Sequence, residues 1–164
     1  HARKAWLNGL SPKQNRDVPP LNYDLVHRMK KDWPGLEIVL NGGLQSFDQA
    51  VGEIDKGLDG AMIGRFAYHN PMEILSNADS LFESNLTNKS VQEIINEMLP
   101  YIQNHLDSGG RLNQITRHML GLFAGKAGAK IWKRTLSDEA HKKDADVDVV
   151  KNALRNVLEK QNII

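Results

Sequence analysis

Two short glycine motifs mark where chemistry is expected in this sequence. The first is Asn41-Gly42-Gly43, directly after the apolar run Leu36-Glu37-Ile38-Val39-Leu40. Glycine lets backbone N–H groups approach an anion closely, and a helix beginning near Ser46 adds the positive end of its dipole. That combination suits a phosphate. It also suits an ordinary tight turn between a strand and a helix. The second motif, Gly64-Arg65, follows Ala61-Met62-Ile63. An arginine beside a glycine can grip a phosphate with its planar fork. Two consecutive strand ends of this type match the phosphate site that many eight-stranded barrels build from the loops after strands 7 and 8.

A third region is set apart by charge. From Ser108 to Ser137 the basic residues are Arg111, Arg117, Lys126, Lys130, Lys133 and Arg134, with His118 and Trp132 interleaved and no acid. In a chain of net charge +1, such a block fits a footprint on a nucleic-acid backbone. A solvated helix face is the plain alternative. At the start, His1-Ala2-Arg3-Lys4 could stack on a flat ring or pair with an anion, or could simply be an exposed terminus. His27, His69, His105 and His141 lack metal-ligand spacing, so no metal is expected. Asp144, Asp146 and Asp148 lack the glycine and distal glutamate of an EF-hand loop, and helix capping is their expected role.

The elements that would hold these residues fall into two halves. Leu21–Trp33 reads as a helix with Leu25, Val26 and Met29 on one face, stopped by Pro34-Gly35. Leu36–Leu40 reads as a buried parallel strand. Ser46, with Gln49 as a capping box, opens a helix carrying Phe47, Ala50, Val51 and Ile54, and residues 61–63 form a second strand. Helix, strand, helix, strand at this spacing is a βαβ unit. Two strands alone need neighbours, from a second copy or from residues preceding His1. Past Asn70-Pro71 no strand signal remains. Helices are expected from Ser90 through Leu106, over 111–124, 126–136 and 147–160, as a small bundle. The boundary is expected within 75–88.

Composition limits the class. Of the 164 residues, 40% are hydrophobic and 25% charged, enough for a folded core. With no cysteine, a disulfide scaffold, a zinc-thiolate site and a thiol nucleophile are excluded within these residues. No apolar run approaches the roughly 18 residues of a membrane helix, and no signal peptide is expected. The balance fits a cytoplasmic protein.

Taken together, the motifs resemble the C-terminal part of the tRNA-dihydrouridine synthases, in particular the A subfamily. The resemblance rests on His1-Ala2-Arg3-Lys4-Ala5-Trp6-Leu7, Gly9-Leu10-Ser11-Pro12-Lys13-Gln14-Asn15-Arg16, Pro19-Pro20-Leu21 and Asn41-Gly42-Gly43. It continues through Gly64-Arg65-x-Ala67-Tyr68-x-Asn70-Pro71, Thr116-Arg117-His118 and Gly128-Ala129-x-x-Trp132. It implies an α/β plus all-α chain: the C-terminal part of a flavin-binding TIM barrel over 1–75, followed by a helical, tRNA-binding bundle over 76–164. The implied activity is reduction of a D-loop uridine, around position 20, with NADPH reducing FMN. His1, Asn41, Gly42 and Gly43, with Gly64 and Arg65, would hold FMN, and Lys13, Arg16, Lys130 and Lys133 would touch tRNA. In that family a cysteine protonates C5; this chain has none, so it resembles a fragment and no catalytic residue is assigned. A non-catalytic RNA-binding module and a small-molecule phosphate-binding barrel enzyme are the alternatives.

Overall fold

A parallel pair of very short strands organises the first part of the chain. The computed structural model describes residues 1–78 and 89–162, which form two compact units, His1–Ala67 and Tyr68–Ile164. Of the expected boundary stretch 75–88, residues 79–88 lie outside the described residues.

In the first unit α1 (Pro12–Asp17) and α2 (Tyr23–Asp32) precede β1 (Val39–Asn41), α3 (Phe47–Asp55) and β2 (Gly60–Met62). The strands pair in parallel, with Val39 opposite Gly60, Leu40 opposite Ala61 and Asn41 opposite Met62, and α3 makes the crossover. This is the βαβ unit expected from the pattern, but β1 starts three residues later than Leu36. Asp59 is the reason. Its carboxylate accepts from the Ile38 N–H at 2.7 Å and from Lys30 Nζ at 2.7 Å, and its own N–H donates to the Ile38 carbonyl at 3.1 Å. The Ile38 N–H is therefore committed to a side chain, and the strand begins beyond it. The Lys30 hydrogen bond, followed by that of Ile38, holds the Asp59 carboxyl below its ordinary pKa.

Residues 1–3 add a fragment of pairing. Ala2 N–H donates to the Asn41 carbonyl at 2.7 Å, the Ala2 carbonyl accepts from Asn22 N–H at 2.8 Å, and Arg3 bridges Leu21. The Arg3 guanidinium also donates to the Pro19 carbonyl. Ala2, Leu40, Leu44, Ala50 and Leu58 form a small core, with Tyr23, Val26, Ile38, Ala61 and Ile63 around it. A strand buried on both faces was expected. Instead Val39 and Met62 are half exposed, because within the described residues only one face of the sheet is covered. Leu25 and Met29 are likewise exposed, leaving Val26 as the residue of that expected face which reaches the core. The capping box expected at Ser46 is one-sided. Ser46 Oγ accepts from Gln49 N–H at 3.1 Å, but the Gln49 side chain turns to the Gln45 N–H at 2.9 Å.

The second unit is helical. It contains α5 (Pro71–Ala78), α6 (Val91–Asp107), α7 (Leu112–Thr116), α8 (Ala129–Glu139) and α9 (Val147–Asn162), while α4 (Arg65–His69) runs across the division. Both halves of the Ser90–Glu93 capping box form, and α6 continues unbroken through Pro100. Asp146 Oδ1 accepts the Asp148 N–H at 2.9 Å at the start of α9, the capping role expected of that cluster. The helix expected over 111–124 stops at Thr116. Beyond it the chain makes successive turns, bonding Leu122 N–H to Met119, Ala124 N–H to Gly121 and Lys126 N–H to Phe123. Gly125 at φ +73° and Gly128 at φ +84° take a conformation that side chains disfavour, which separates these turns from α8.

Trp132 is the centre of this unit's core. It is fully buried among Ile95, Ile102, Leu112, Val150 and Val157, meets Phe123 edge-on at 5.1 Å, and donates Nε1–H to the Met119 carbonyl at 2.9 Å. The indole so joins α8 to the turn segment. Trp132→Ala is expected to destabilise the helical unit by about 3–5 kcal/mol, read as a lower urea midpoint in the helical circular dichroism signal.

Candidate functional site

The carboxyl ends of β1 and β2 carry the two glycine motifs. Gly42 (φ +125°) and Gly43 (φ +75°) form a turn no other residue type would hold without strain. A Cβ on Gly42 would lie 2.9 Å from His1 Cε1, and one on Gly43 would collide with the Leu21 side chain. The turn is fixed from outside as well: the Tyr23 hydroxyl donates to the Gly42 carbonyl at 2.6 Å. Burial, followed by the nearby Glu53 carboxylate, pushes the Tyr23 phenol above its ordinary pKa, so it remains a donor. Gly64 differs. Its φ is unremarkable and a Cβ there would meet nothing within 4 Å, so no packing among the described residues demands a glycine.

Arg65 follows Gly64 and reaches back to α1. Its Nη1 donates to Asp17 Oδ1 at 2.7 Å and its Nη2 to the Arg16 carbonyl at 3.3 Å. The Arg65 hydrogen bond holds the Asp17 carboxyl below its ordinary pKa. This tether brings Arg16 to Arg65, and Lys13 sits on the same short helix, while His1 sits against Gly42. In the helical unit Lys130 and Lys133 are exposed, three residues apart on α8, with Trp132 between them turned into the core.

Sequence reasoning missed a buried carboxylate on α3 and its two partners. Glu53 is 7% exposed, accepts from Lys56 Nζ at 2.7 Å, and lies 2.6 Å from His27 Nε2. Lys56 three residues on was a visible local signal; His27 is 26 positions away and gave none. A second missed grouping joins Tyr68 to His118, fifty positions apart, in the helical unit. Among the described residues no three metal-ligating side chains converge. No helix of the described residues is long and apolar enough to cross a membrane.

A family model described as dihydrouridine synthase (Dus) matches residues 1–161. The chain belongs to the dihydrouridine synthase family. It is 52% identical over 157 residues to a tRNA-dihydrouridine(20/20a) synthase of Shewanella oneidensis, covering 96% of this chain and 47% of that protein. Proteins of the same name from Escherichia coli (strain K12) and Vibrio parahaemolyticus are each 45% identical, over 98% and 99% of this chain. Of those two relatives' own lengths, 46% and 50% are covered. The chain thus spans about half the length of the curated relatives it matches. A dihydrouridine synthase domain implies a TIM-barrel-type fold, and the parallel β1–α3–β2 unit is consistent with a part of one.

The buried Glu53 carboxylate gives this dihydrouridine synthase chain a defined acid sensitivity. The Lys56 hydrogen bond, aided by His27 and opposed by burial, lowers the Glu53 pKa from 4.5. A depressed carboxylate stabilises the fold above its unfolded pKa, and that contribution is lost as pH falls through the folded value. Glu53→Gln is expected to cost about 1–2 kcal/mol near neutral pH, with the difference from the parent shrinking below pH 4.5. Thermal melts across pH 3–7, a range set around ordinary carboxylate values, would read both effects.

Proposed function

We propose that these residues are part of a flavin-dependent tRNA-dihydrouridine synthase that reduces a D-loop uridine, at position 20 or 20a, in the cytoplasm. The observation that carries this reading is the 52% identity, over 96% of the chain, to a tRNA-dihydrouridine(20/20a) synthase. In it, 1–75 contributes the phosphate side of an FMN site in a TIM barrel, and 76–164 is a tRNA-docking helical domain.

The site geometry suits the phosphate of FMN. The Gly42-Gly43 turn, with positive φ at both residues, lies at a strand end followed by the capped α3. Open space at Gly64 beside Arg65 leaves room for an anion at the adjoining strand end. Arg65 has two contacts to the α1 segment, which leaves further N–H groups of its fork for phosphate. Asn41, Gly42 and Gly43 would hold the phosphate from one side, Gly64 and Arg65 from the other, and His1 would border the cofactor. FMN, reduced by NADPH, supplies the hydride for uridine C6 when bound. The chain's own part is to bind and orient, since it contains no cysteine to serve as the acid for C5.

Lys13 and Arg16 on α1, with Lys130 and Lys133 on α8, would meet the tRNA backbone. The absence of acids from Ser108 to Ser137 favours docking over a merely solvated helix face.

In the whole protein, Arg65→Ala is expected to weaken FMN retention about tenfold to a hundredfold, by loss of a charge-assisted fork. Equilibrium dialysis followed by flavin fluorescence would measure it, and undiminished affinity would remove Arg65 from the site. The pair Lys130→Ala, Lys133→Ala is expected to flatten the dependence of log K for tRNA on log salt by about 1.5, at unchanged flavin content. An unchanged slope with the fold intact would return α8 to an ordinary solvated face.

A further inference from the structure

Lys133 also borders a cleft in the helical unit whose other residues have no role so far. Its volume is about 320 Å³, and Tyr68, His69, Arg117 and His118 line it with Lys133. Gly121 forms part of its wall. A Cβ there would come within 2.6 Å of the His69 carbonyl oxygen, so only glycine lets the turn after α7 approach this closely.

Three of these side chains are connected in series. Arg117 Nε–H donates to His118 Nε2 at 2.9 Å. A guanidinium can only donate, so His118 Nε2 carries a lone pair and the ring proton resides on Nδ1. Nδ1 lies 2.9 Å from the Tyr68 hydroxyl and therefore donates to its oxygen. The Tyr68 O–H proton is then free for another acceptor. Edge-on contacts with His69 at 5.4 Å and His118 at 5.9 Å hold the phenol ring in place.

The outcome is a recess lined with donors: the Tyr68 hydroxyl, the Arg117 fork and the Lys133 ammonium. Among the described residues no carboxylate ion-pairs with Arg117 or Lys133. Two cations and a neutral O–H donor around one cleft are the chemistry of oxyanion capture. Lys133 also shares its helix face with the exposed Lys130, which connects the cleft to the basic face of α8.

We propose that this cleft seats one backbone phosphate of the RNA, an inference that rests on the tRNA-docking reading above. Tyr68 supplies a neutral hydrogen bond, Arg117 and Lys133 supply charge, and His118 is a positioning residue that orients the Tyr68 hydroxyl.

The test measures tRNA affinity against salt for the whole protein and its Tyr68→Phe, Tyr68→Ala and Arg117→Met variants, each checked by melting temperature. Tyr68→Phe is expected to weaken binding about tenfold with the salt slope unchanged, because the lost donor is uncharged. Arg117→Met is expected to weaken binding and to flatten the slope by up to about 0.9, the value for one whole phosphate contact, since Lys133 stays on the same phosphate. Nitrogen-15 spectra are expected to show His118 protonated at Nδ1; a proton on Nε2 would overturn the wiring. Parent protein with no salt-dependent tRNA binding would overturn the docking reading itself, and this proposal with it. A parent that binds, alongside Tyr68→Phe and Arg117→Met variants that match it, would overturn the cleft alone. Full affinity in Tyr68→Phe with loss in Tyr68→Ala would make the cleft a base-stacking surface and overturn the phosphate assignment.

Discussion

The carboxyl end of β1 is held by hydrogen bonds from outside the strand, and the arrangement of the first unit depends on them. Ala2 N–H caps the Asn41 carbonyl, and the Tyr23 hydroxyl caps that of Gly42. A three-residue strand has too few ladder bonds to fix its own end, so these two donors keep the glycine turn from relaxing. They also bring the chain's first residues and α2 to the same point. Loosening that end would move His1, the glycine turn and the start of α3 together, three of the features on which the proposed anion site rests.

The two units resist unfolding by different means. The helical unit has a continuous core around Trp132, whereas the first unit combines a small core with ionic and polar fasteners: Lys30 on Asp59, Arg65 on Asp17, and Lys56 with His27 on Glu53. Apolar side chains do not titrate, but partly exposed ion pairs are screened by salt and titrate. The first unit is accordingly the part whose stability should follow solution conditions.

Much of this was legible in the chain because it was local. The βαβ order and the helix that opens at Ser90 both follow from spacing over a few residues. The failures have physical causes of equal clarity. Residues 117–124 keep an apolar pattern that suits a helix, yet the glycines at 121, 125 and 128 favour successive turns, and any side chain at 121 would collide with the His69 carbonyl. Leu36–Ile38 have strand-like composition, but Ile38 is taken by the Asp59 carboxylate. Of the candidate site, the glycine motifs and the arginine beside them were visible as motifs. The partnership of Arg65 with Asp17, and that of Tyr68 with His118, join residues about fifty positions apart and leave no trace in any window.

The Asp59 clamp on Ile38 has one more consequence. Side chains alternate along a strand, so a slip of one residue between β1 and β2 would turn Leu40 outward and Val39 inward. With three pairs of residues in the ladder, few backbone bonds distinguish the correct alignment from its neighbours. A carboxylate that binds the N–H of Ile38 while its own N–H binds the carbonyl of that residue can be satisfied in one alignment only. Asp59 therefore acts as an index mark: it specifies which residue faces which, and so which of the two strand faces carries the core.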